Sequence, residues 1–387
     1  MKILVIGAAP RSLINFRGAL LEKIVERGHE VAASASGEVP IVTATLKDMG
    51  IRYHPIRLER AGMNPIKDIK TLLDMIRMIY RLEPDIVLSY TIKPVIYGGL
   101  SAPLCGVKAY YSLISGLGYI FTESRSLRKY FLGSMIRMLY RLSLKRSRKV
   151  FFQNPDDQAL FLRKGLVQST QAVLIKGSGV DIGHYGISPL PDEPVFLMIA
   201  RLLADKGVRE YVEAADKVKK RLPQTRFLLV GGLDPNPNAI RESELKKWQE
   251  AGIIEYLGYL DDVRHAIQMC RCYVLPSYYR EGLPRSVLEA MSMGRPVITT
   301  DAAGCRETVI LTREGQRQRE QGDGVMRGEN GYLVRTRDVV ALANAMLQIL
   351  EEPAMAKSMA IRGREIAEEI FDVHKVNKVL LKEMGLL

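Results

Sequence analysis

The amino-acid sequence predicts an α/β protein built from two doubly wound parallel sheets in tandem. Short apolar runs such as ILVIG, DIVLSY and AYYSLI alternate with longer amphipathic segments from residue 2 to residue 176. A second series of the same kind runs from VFLMIA to GYLV. Strands separated in this way by helices favour parallel sheets that are covered on both faces.

The two series are separated by GSGVDIGHYGISPLPDEP, residues 177–194, which is rich in Gly and Pro and has no hydrophobic period. Such a stretch is typical of a domain linker. We therefore expect one domain over residues 1–178 and a second over 179–370, with a last helix over about 371–387 that can pack back on the first domain. A polar stretch at 312–327, TREGQRQREQGDGVMR, predicts an exposed insertion in the second domain.

The composition excludes several classes of protein. With 47% hydrophobic and 26% charged residues, the 387-residue chain is not disordered. Its 56 Lys and Arg against 43 Asp and Glu should attract phosphates of nucleotides, nucleic acid or anionic lipid. Four cysteines are too few for a disulfide framework, so we expect reduced thiols in the cytosol. No run approaches the roughly 18 apolar residues of a membrane span, so membrane contact should be peripheral.

The stretch from Cys272 to Asp301 has the pattern strand, loop, helix, turn, strand. Pro284 begins the helical segment, and Glu281 and Glu289 lie on either side of its N-terminus with seven residues between them. The free N–H groups and the dipole of a helix N-terminus favour an anion. Carboxylates accept hydrogen bonds from diols. The stretch therefore predicts a site for a nucleotide diphosphate with sugar hydroxyls nearby.

A basic pair follows the first strand of the second series. In MIARLLADKGV the strand is followed by Arg201 and, five residues later, Lys206, and both could reach a bound phosphate. Such a pair is by itself more often a solvated surface. Its combination with VGG at 230–232 and with EGLPRSVLE, all at strand ends, favours a ligand site.

The second half resembles the family 4 retaining glycosyltransferases, enzymes of the two-domain GT-B fold. The resemblance rests on ARLLADKG, FLLVGG, IEYLGYLDDV, LPSYYREGLPRSVLEAMSMGRPVITTDAAGCRE and ENGYLV, between about 195 and 350. Within that family the chain is similar to bacterial transferases that extend polyprenyl-diphosphate-linked sugars. That similarity rests on FR near residue 16, SGLGYIFT at 115–122 and VGGLDPNPN at 230–238. The resemblance implies two Rossmann-like domains whose sheets face a cleft, where ligands of such sheets bind.

The resemblance also implies how a sugar donor is held. Arg201 and Lys206 would bind its diphosphate, and Gly282 and Leu283 would offer backbone N–H groups to the phosphate. Glu281 would meet hydroxyls of the transferred sugar near the anomeric carbon.

The nucleoside would be held by two further positions. Glu289 would accept hydrogen bonds from the ribose, and Leu260 would be a backbone contact for the base. An alternative for Glu289 is an exposed helix carboxylate, but its combination with Glu281, Arg201 and Lys206 favours the binding role.

The family implies a reaction that retains the anomeric configuration, in which the leaving diphosphate takes the acceptor proton. No Asp-x-Asp motif, the usual metal-binding signature of the other large glycosyltransferase fold, occurs in the chain. We therefore expect no metal and no other cofactor, with Arg201, Lys206 and the helix N-terminus supplying positive charge.

The loop after AYYSLI differs from the family pattern. Many members have a histidine there, and this chain has Ser115 in LISGLG. None of the five histidines fits that role. Ser115 and Gly116 could line the acceptor pocket, and a plain tight loop is an equally good interpretation. The first loop, GAAPRSLINFR, has one glycine where a dinucleotide loop has three, which argues against a nicotinamide site.

Residues 125–149 contain nine basic and no acidic residues, with Leu127, Phe131, Met135, Met138 and Leu142 at helical spacing. This predicts a basic amphipathic helix. It could dock on an anionic membrane near a lipid-linked acceptor, or its apolar stripe could pack in the core. Nucleic acid is a weaker interpretation, because no binding motif accompanies the charge, and we expect no nucleic-acid partner.

Taken together, these features predict a cytosolic, metal-independent transferase that moves an N-acetylhexosamine or hexose from a UDP-sugar to a lipid-linked or saccharide acceptor. It would be soluble or peripheral on the inner face of the membrane. Two alternatives remain open: a nucleotide-sugar epimerase of the same fold, and a non-catalytic protein that binds membrane surfaces.

Overall fold

The computed structural model describes residues 1–59, 64–117, 127–234, 236 and 238–387. The chain divides into two compact units, each with its own sheet. The first unit comprises Met1–Gly179 and Val373–Leu387, and the second comprises Val180–Asp372.

The first unit contains a seven-stranded sheet in the order β3-β2-β1-β4-β5-β6-β7, with all neighbours parallel. Its strands are β1 (Lys2–Ile6), β2 (Glu30–Ser36), β3 (Arg52–Ile56), β4 (Ile86–Tyr90), β5 (Ala109–Ile114), β6 (Lys149–Phe152) and β7 (Ala172–Leu174). Its helices up to the linker are α1 (Pro10–Asn15), α2 (Gly18–Glu26), α3 (Pro40–Asp48), α4 (Pro65–Leu82), α5 (Ile92–Leu104), α6 (Leu127–Leu144) and α7 (Pro155–Arg163).

Helices cover both faces of this sheet. The buried residues of α1, α2 and α3 belong to one apolar cluster, whereas those of α4, α5, α6 and α7 belong to two clusters on the opposite face. Helix α4 starts at Pro65, which occupies its first turn, and the Asn64 side chain caps it by accepting hydrogen bonds from Ile66 N and Lys67 N.

The second unit contains a seven-stranded sheet in the order β10-β9-β8-β11-β12-β14-β13. Its strands are β8 (Val195–Ile199), β9 (Arg226–Val230), β10 (Glu255–Tyr256), β11 (Cys272–Leu275), β12 (Val297–Thr300), β13 (Val325–Arg327) and β14 (Gly331–Val334). The helices that follow α7 are α8 (Val208–Arg221), α9 (Glu242–Glu250), α10 (Arg264–Met269), α11 (Arg285–Ser292), α12 (Arg313–Gln321), α13 (Val339–Glu351), α14 (Pro353–Ile366) and α15 (Val373–Met384). The predicted α/β class with two doubly wound sheets is confirmed.

The polar stretch at 312–327 forms regular structure that its lack of a hydrophobic period did not indicate. It folds into α12 and β13, and β13 pairs antiparallel with β14. The Thr312 side chain caps α12 by accepting a hydrogen bond from Gly315 N at 3.1 Å. Helix α12 is largely exposed, and within the helix only Gly315 is buried. The stretch therefore adds an antiparallel edge strand to an otherwise parallel sheet.

Helix α15 belongs to the first unit although it follows the second in sequence. Leu380 and Leu381 are buried in the same cluster as α2 and α3. The Arg27 guanidinium donates to Leu386 O at 3.1 Å, and the Tyr111 hydroxyl donates to Met384 O at 3.3 Å. In the described part of the chain, no helix combines the length and the apolar character needed to cross a bilayer.

Candidate functional site

The predicted donor residues of the second unit lie beyond the C-terminal ends of neighbouring strands. Arg201 and Lys206 follow β8, Glu281 follows β11, and Leu260 follows β10. The strand order reverses between β8 and β11. Ligands of doubly wound sheets bind at such a reversal, beyond the strand C-termini.

Lys206 and Glu281 form an ion pair in which Nζ donates to the Glu281 carboxylate oxygen Oε1. The two side chains are only 14% and 10% exposed. The Ser277 hydroxyl donates to the same oxygen at 3.0 Å, and Lys206 Nζ lies 4.9 Å from the centroid of the Tyr279 ring. The site therefore contains a largely buried cation that is paired with the predicted sugar-binding glutamate.

The backbone around Asp205 places these two side chains together. Its carbonyl accepts hydrogen bonds from Tyr278 N at 3.0 Å and Tyr279 N at 2.8 Å. At Gly207 the backbone has φ +80°, and a Cβ there would lie 2.2 Å from Pro276 O. The turn that carries Lys206 therefore packs directly on the loop that leads to Glu281, and only glycine fits at 207.

Burial raises the pKa of the Asp205 carboxyl, and Glu281 raises it further, while Lys206 and Arg201 oppose the shift. The carboxylate atom Oδ1 is buried and has no hydrogen-bond partner among the described residues. Asp205 thus adds a partly desolvated acid beside the Lys206–Glu281 pair. Sequence reasoning missed this residue, although it stands next to Lys206 in ADKG.

Arg201 is more accessible than Lys206. Its side chain is 48% exposed, and Nη1 donates to Asp234 Oδ2 at 3.3 Å. Asp234 follows the VGG segment at the end of β9. The guanidinium also acts electrostatically on Asp205 and Tyr279, so it belongs to the same cluster as Lys206.

Gly282 and Leu283 immediately precede Pro284, the N-cap residue of α11. The loop after β12 packs on this segment, because a Cβ on Gly304, where φ is +81°, would lie 2.5 Å from Gly282 O. The Gly304 loop therefore packs on the backbone between Glu281 and α11, whereas the Gly207 turn packs on the chain just before Glu281. Gly304 was not recognised from the sequence, since a lone glycine in DAAGCRE gives no signal of what it contacts.

Glu289 lies on the buried side of α11 and is only 8% exposed, so it is not a solvent-exposed helix carboxylate. Burial raises its pKa, while the Arg285 guanidinium opposes the rise and donates to Oε1 through Nε at 2.9 Å. The Tyr273 hydroxyl donates to Ile199 O at 3.0 Å and bonds Ser286 at 2.6 Å, which attaches α11 to β8 and β11.

The predicted base-contacting residue, Leu260, is partly buried against the core of the second unit. It lies two residues after Gly258, whose carbonyl accepts a hydrogen bond from Gly231 N at 2.8 Å. The loops after β9 and β10 are therefore joined at the same sheet edge.

In the first unit, Ser115 and Gly116 directly follow β5, and Gly116 has φ +97°. Gly118 and the rest of the SGLGYIFT segment to residue 122 lie outside the described residues. Thr91, which follows the neighbouring strand β4, has φ +69° and ψ 159°, a region that almost only glycine occupies. A strained residue thus lies at the strand end beside Ser115.

A polar cluster that sequence reasoning missed lies where the strand order of the first sheet reverses, between β1 and β4. The hydroxyls of Ser12 and Tyr90 are 2.8 Å apart, and the Arg17 guanidinium lies 5.2 Å from the centroid of the Tyr90 ring. Burial raises the pKa of Tyr90 to about 12, so the phenol stays protonated. Ser12 and Arg17 both lie in the first loop, GAAPRSLINFR, but nothing in the sequence connected them with Tyr90.

Among the described residues, no three His, Cys, Asp or Glu side chains are grouped so that they could hold a metal ion. The positive groups near Glu281 include Lys206, Arg201 and the N-terminus of α11.

Two family profiles match the chain. The one described as Glycosyl transferases group 1 matches residues 193–352, and the one described as Glycosyl transferase 4-like matches residues 2–154. They fall in the second and the first structural unit respectively.

Individual proteins show the same relationship. The chain is 28% identical over 329 residues to the N,N'-diacetylbacillosaminyl-diphospho-undecaprenol alpha-1,3-N-acetylgalactosaminyltransferase of Campylobacter jejuni, covering 81% of this chain and 84% of that protein. It is 22% identical to the UDP-Gal:alpha-D-GlcNAc-diphosphoundecaprenol alpha-1,3-galactosyltransferase of Escherichia coli, over 75% and 72% of the two chains. The crystal structure of Anabaena HepE in complex with UDP-glucose superimposes with a TM-score of 0.77 at 18% identity and full coverage of both chains. At that identity the structural likeness shows a shared fold.

Proposed function

This chain belongs to the group 1 (family 4) glycosyltransferases of GT-B fold, and we propose that it moves a sugar from a UDP-sugar to a lipid-linked saccharide. The observation that carries the proposal is the Lys206–Glu281 pair beside the N-terminus of α11, at the strand-order reversal of the second sheet. The names of the Campylobacter jejuni and Escherichia coli relatives, which act on undecaprenyl-diphosphate sugars, support this acceptor class in bacterial glycan assembly.

The donor diphosphate is bound by positive groups of the second unit. Arg201 is exposed enough to turn from Asp234 to a phosphate, which its planar fork suits. Lys206 has three N–H donors, so it can keep Glu281 and add a phosphate oxygen. The backbone N–H groups of Gly282 and Leu283 complete the phosphate contacts at the start of α11.

The carboxylates bind hydroxyl groups of the donor. Glu281 accepts from the transferred sugar near its anomeric carbon, and Ser277 and Lys206 hold its carboxylate in place. Glu289 accepts from the ribose, and Arg285, which donates to its carboxylate, opposes the rise in its pKa that burial causes. The Leu260 backbone contacts the base.

Transfer proceeds with retention of the anomeric configuration. The bond from the anomeric carbon to the diphosphate oxygen breaks, a bond to the acceptor oxygen forms on the same face, and the acceptor proton passes to the departing phosphate. Charge develops on that phosphate, where Arg201, Lys206 and the helix N-terminus stabilise it. Neither a metal ion nor another cofactor is required in this scheme.

The acceptor binds the first unit. Ser115 and Gly116 lie at the strand edge beside the strained Thr91, and the small side chains allow a saccharide to approach the backbone closely. No histidine is available in the described part of this loop, which fits a reaction in which the leaving phosphate is the base.

The acceptor lipid places the enzyme at the inner face of the cytoplasmic membrane, with residues 125–149 as a contact. The predicted stripe on this segment faces outward where its side chains are described, since Met135, Met138 and Leu142 are 52%, 65% and 49% exposed. Ile136, Tyr140 and Leu144 make the core contacts of α6 instead. These exposures favour membrane contact over the alternative of a core-packing stripe.

The test is transfer from UDP-GlcNAc, UDP-GalNAc, UDP-Glc and UDP-Gal to an undecaprenyl-diphosphate-linked saccharide, with and without a chelator. We expect one UDP-sugar to support transfer, full activity with the chelator, and an α-linkage by NMR. Consumption of a UDP-sugar without acceptor would favour an epimerase, and a β-linkage would contradict retention.

A further inference from the structure

Helix α4 exposes an apolar stripe along its whole length. Its members are three, four and seven residues apart, which places them on one side of the helix. They are Ile66, Ile69, Leu73 and Tyr80, and each is exposed by 45% or more. The opposite side of the helix supplies the core contacts, through Met75, Met78 and Ile79.

Basic side chains run beside this stripe on the same helix. Lys70, Arg77 and Arg81 are exposed at positions that follow the apolar residues around the helix. The two acids of α4 are turned inward. Asp68 is 20% exposed and pairs with Lys93, and Asp74 is 16% exposed and pairs with Arg57. The exposed side of α4 is therefore apolar along one edge and basic along the other.

Helices α4 and α6 lie on the same face of the first sheet, with α5 packed between them. The outward stripe of α6, formed by Met135, Met138 and Leu142, is likewise flanked by exposed basic residues. These are Arg141, Lys145 and Arg146. Helices α4 and α6, on the same face of the sheet, thus each expose an apolar stripe with basic residues beside it.

Charge is divided unequally between the two units. Residues 1–179 and 373–387 contain 30 Lys and Arg against 14 Asp and Glu, whereas residues 180–372 contain 26 against 29. The first unit therefore has a net charge of +16 and the second of −3, so the net positive charge of the chain comes from the first unit. An anionic surface would attract this unit and not the nucleotide-binding unit.

We propose that the outer layer formed by α4, α5 and α6 is a membrane-docking surface, which inserts both apolar stripes among anionic lipid headgroups. The proposal rests on the proposed function, because it names the surface on which a lipid-linked acceptor would be met. Apolar residues with flanking Lys and Arg are what an interfacial helix presents to anionic lipid. A second copy of this chain fits less well, since a symmetric contact would bring the basic stripes together.

The layer also adjoins the predicted acceptor edge. Helices α4, α5 and α6 follow β3, β4 and β5, so they begin on the side of the sheet where Thr91 and Ser115 lie. A lipid diphosphate that projects from the docked membrane would then be close to that edge.

The test is co-sedimentation of the full chain with vesicles of phosphatidylglycerol and phosphatidylcholine, compared with vesicles of phosphatidylcholine alone. We expect binding to the anionic vesicles only, weakened by added salt. The double variant Ile69→Ser/Leu73→Ser should bind about tenfold more weakly, and adding Met135→Ser/Met138→Ser should weaken binding further. The matched control is Ile41→Ser, because Ile41 is 66% exposed on α3, on the opposite face of the sheet, and should change nothing.

All substituted side chains are exposed, so thermal unfolding should show folded variants. The proposal would be overturned if the Ile69→Ser/Leu73→Ser variant bound anionic vesicles as tightly as the wild type. It would also be overturned if light scattering showed a wild-type dimer that this variant cannot form. Transfer to a detergent-dispersed acceptor distinguishes failure of the docking surface from failure of the proposed transferase function, because it does not require a membrane. The variants should keep that activity, whereas absence of transfer in the wild type, with intact vesicle binding, would contradict the proposed function and leave the docking surface standing.

Discussion

Lys206 and Glu281, 75 residues apart in the chain, form an ion pair that is largely closed to solvent at the C-terminal edge of the second sheet. The Asp205 carbonyl and the close contact of Gly207 with Pro276 bring their backbones together. One member of the pair follows β8 and the other follows β11, so the pair spans the strand-order reversal. The fold therefore positions the cation that we propose binds phosphate beside the carboxylate that we propose binds sugar hydroxyls.

We expect the variant Lys206→Ala to be less stable than the wild type by about 3 kcal/mol, because it leaves the Glu281 carboxylate in an enclosed site without this cation. The double variant Lys206→Ala/Glu281→Gln should recover most of that loss, since no charge remains unpaired. Urea unfolding of the four proteins of this double-mutant cycle measures the coupling. Additive losses would show that the pair does not act as a unit.

The contact at Gly207 predicts that Gly207→Ala destabilises the second unit by more than a positive φ alone would. We expect a loss of about 2 to 4 kcal/mol, together with weaker UDP binding, because the turn carrying Lys206 must move away from Pro276. The matched control is Gly252→Ala, where φ is +64° and the space around the Cβ is open. This control substitution should lower the free energy of unfolding by about 1 kcal/mol and leave UDP binding unchanged. Equal effects of the two substitutions on stability and binding would contradict the packing role.

The buried position of Glu289 predicts a specific role in ribose binding. Glu289→Gln keeps the shape but removes the charge, so the KM for the UDP-sugar should rise about tenfold or more with a smaller change in kcat. The difference in affinity between UDP and its 2',3'-dideoxy analogue should be smaller for Glu289→Gln than for the wild type. Titration calorimetry with both nucleotides measures this difference. The same difference in the wild type and the variant would show that Glu289 does not contact the ribose.

The raised pKa of Asp205 makes the folded wild type less stable as pH rises. Between the ordinary aspartate pKa and the raised value in the folded protein, the folded state keeps a proton that the unfolded state releases, so stability falls with increasing pH through that window. The Asp205→Asn variant has no titrating group at this position. The variant should match the wild type at low pH and exceed it by at most about 1 kcal/mol at neutral pH, because the group is only partly buried. Thermal unfolding across this pH range measures the difference, and a gap that is constant with pH would refute the assignment.

Much of the fold was predictable because parallel strands are short apolar runs bounded by Gly, Pro and cap residues. Helix α4, for example, begins at Pro65 directly after its cap residue Asn64 and ends at Leu82, two residues before Pro84. The stretch at 312–327 was not recognised as α12 and β13, because an exposed helix and an edge strand need no apolar period. A hydrophobic period shows which residues are buried, and few residues of this stretch are buried.

Sequence motifs pointed to Arg201, Lys206, Glu281 and Glu289, and the roles of these residues in donor binding stay predictions. Asp205, Gly207 and Gly304 were not found, because they act through backbone contacts with segments distant in sequence. The cluster of Ser12, Arg17 and Tyr90 was missed for the same reason, since β1 and β4 become neighbours only in the folded sheet. The apolar stripe of α4 also required the structure, because this helix has apolar residues on two sides and the sequence does not show which side is buried.

The most direct test is transfer of labelled sugar from the active UDP-sugar to an undecaprenyl-diphosphate-linked saccharide by the wild type and by Glu281→Ala. We expect the variant to remain folded and to bind UDP, and to lose at least about a hundredfold in transfer rate, because contacts to the reacting sugar are removed. Transfer at the wild-type rate by Glu281→Ala would show that the reaction does not take place beside the Lys206–Glu281 pair.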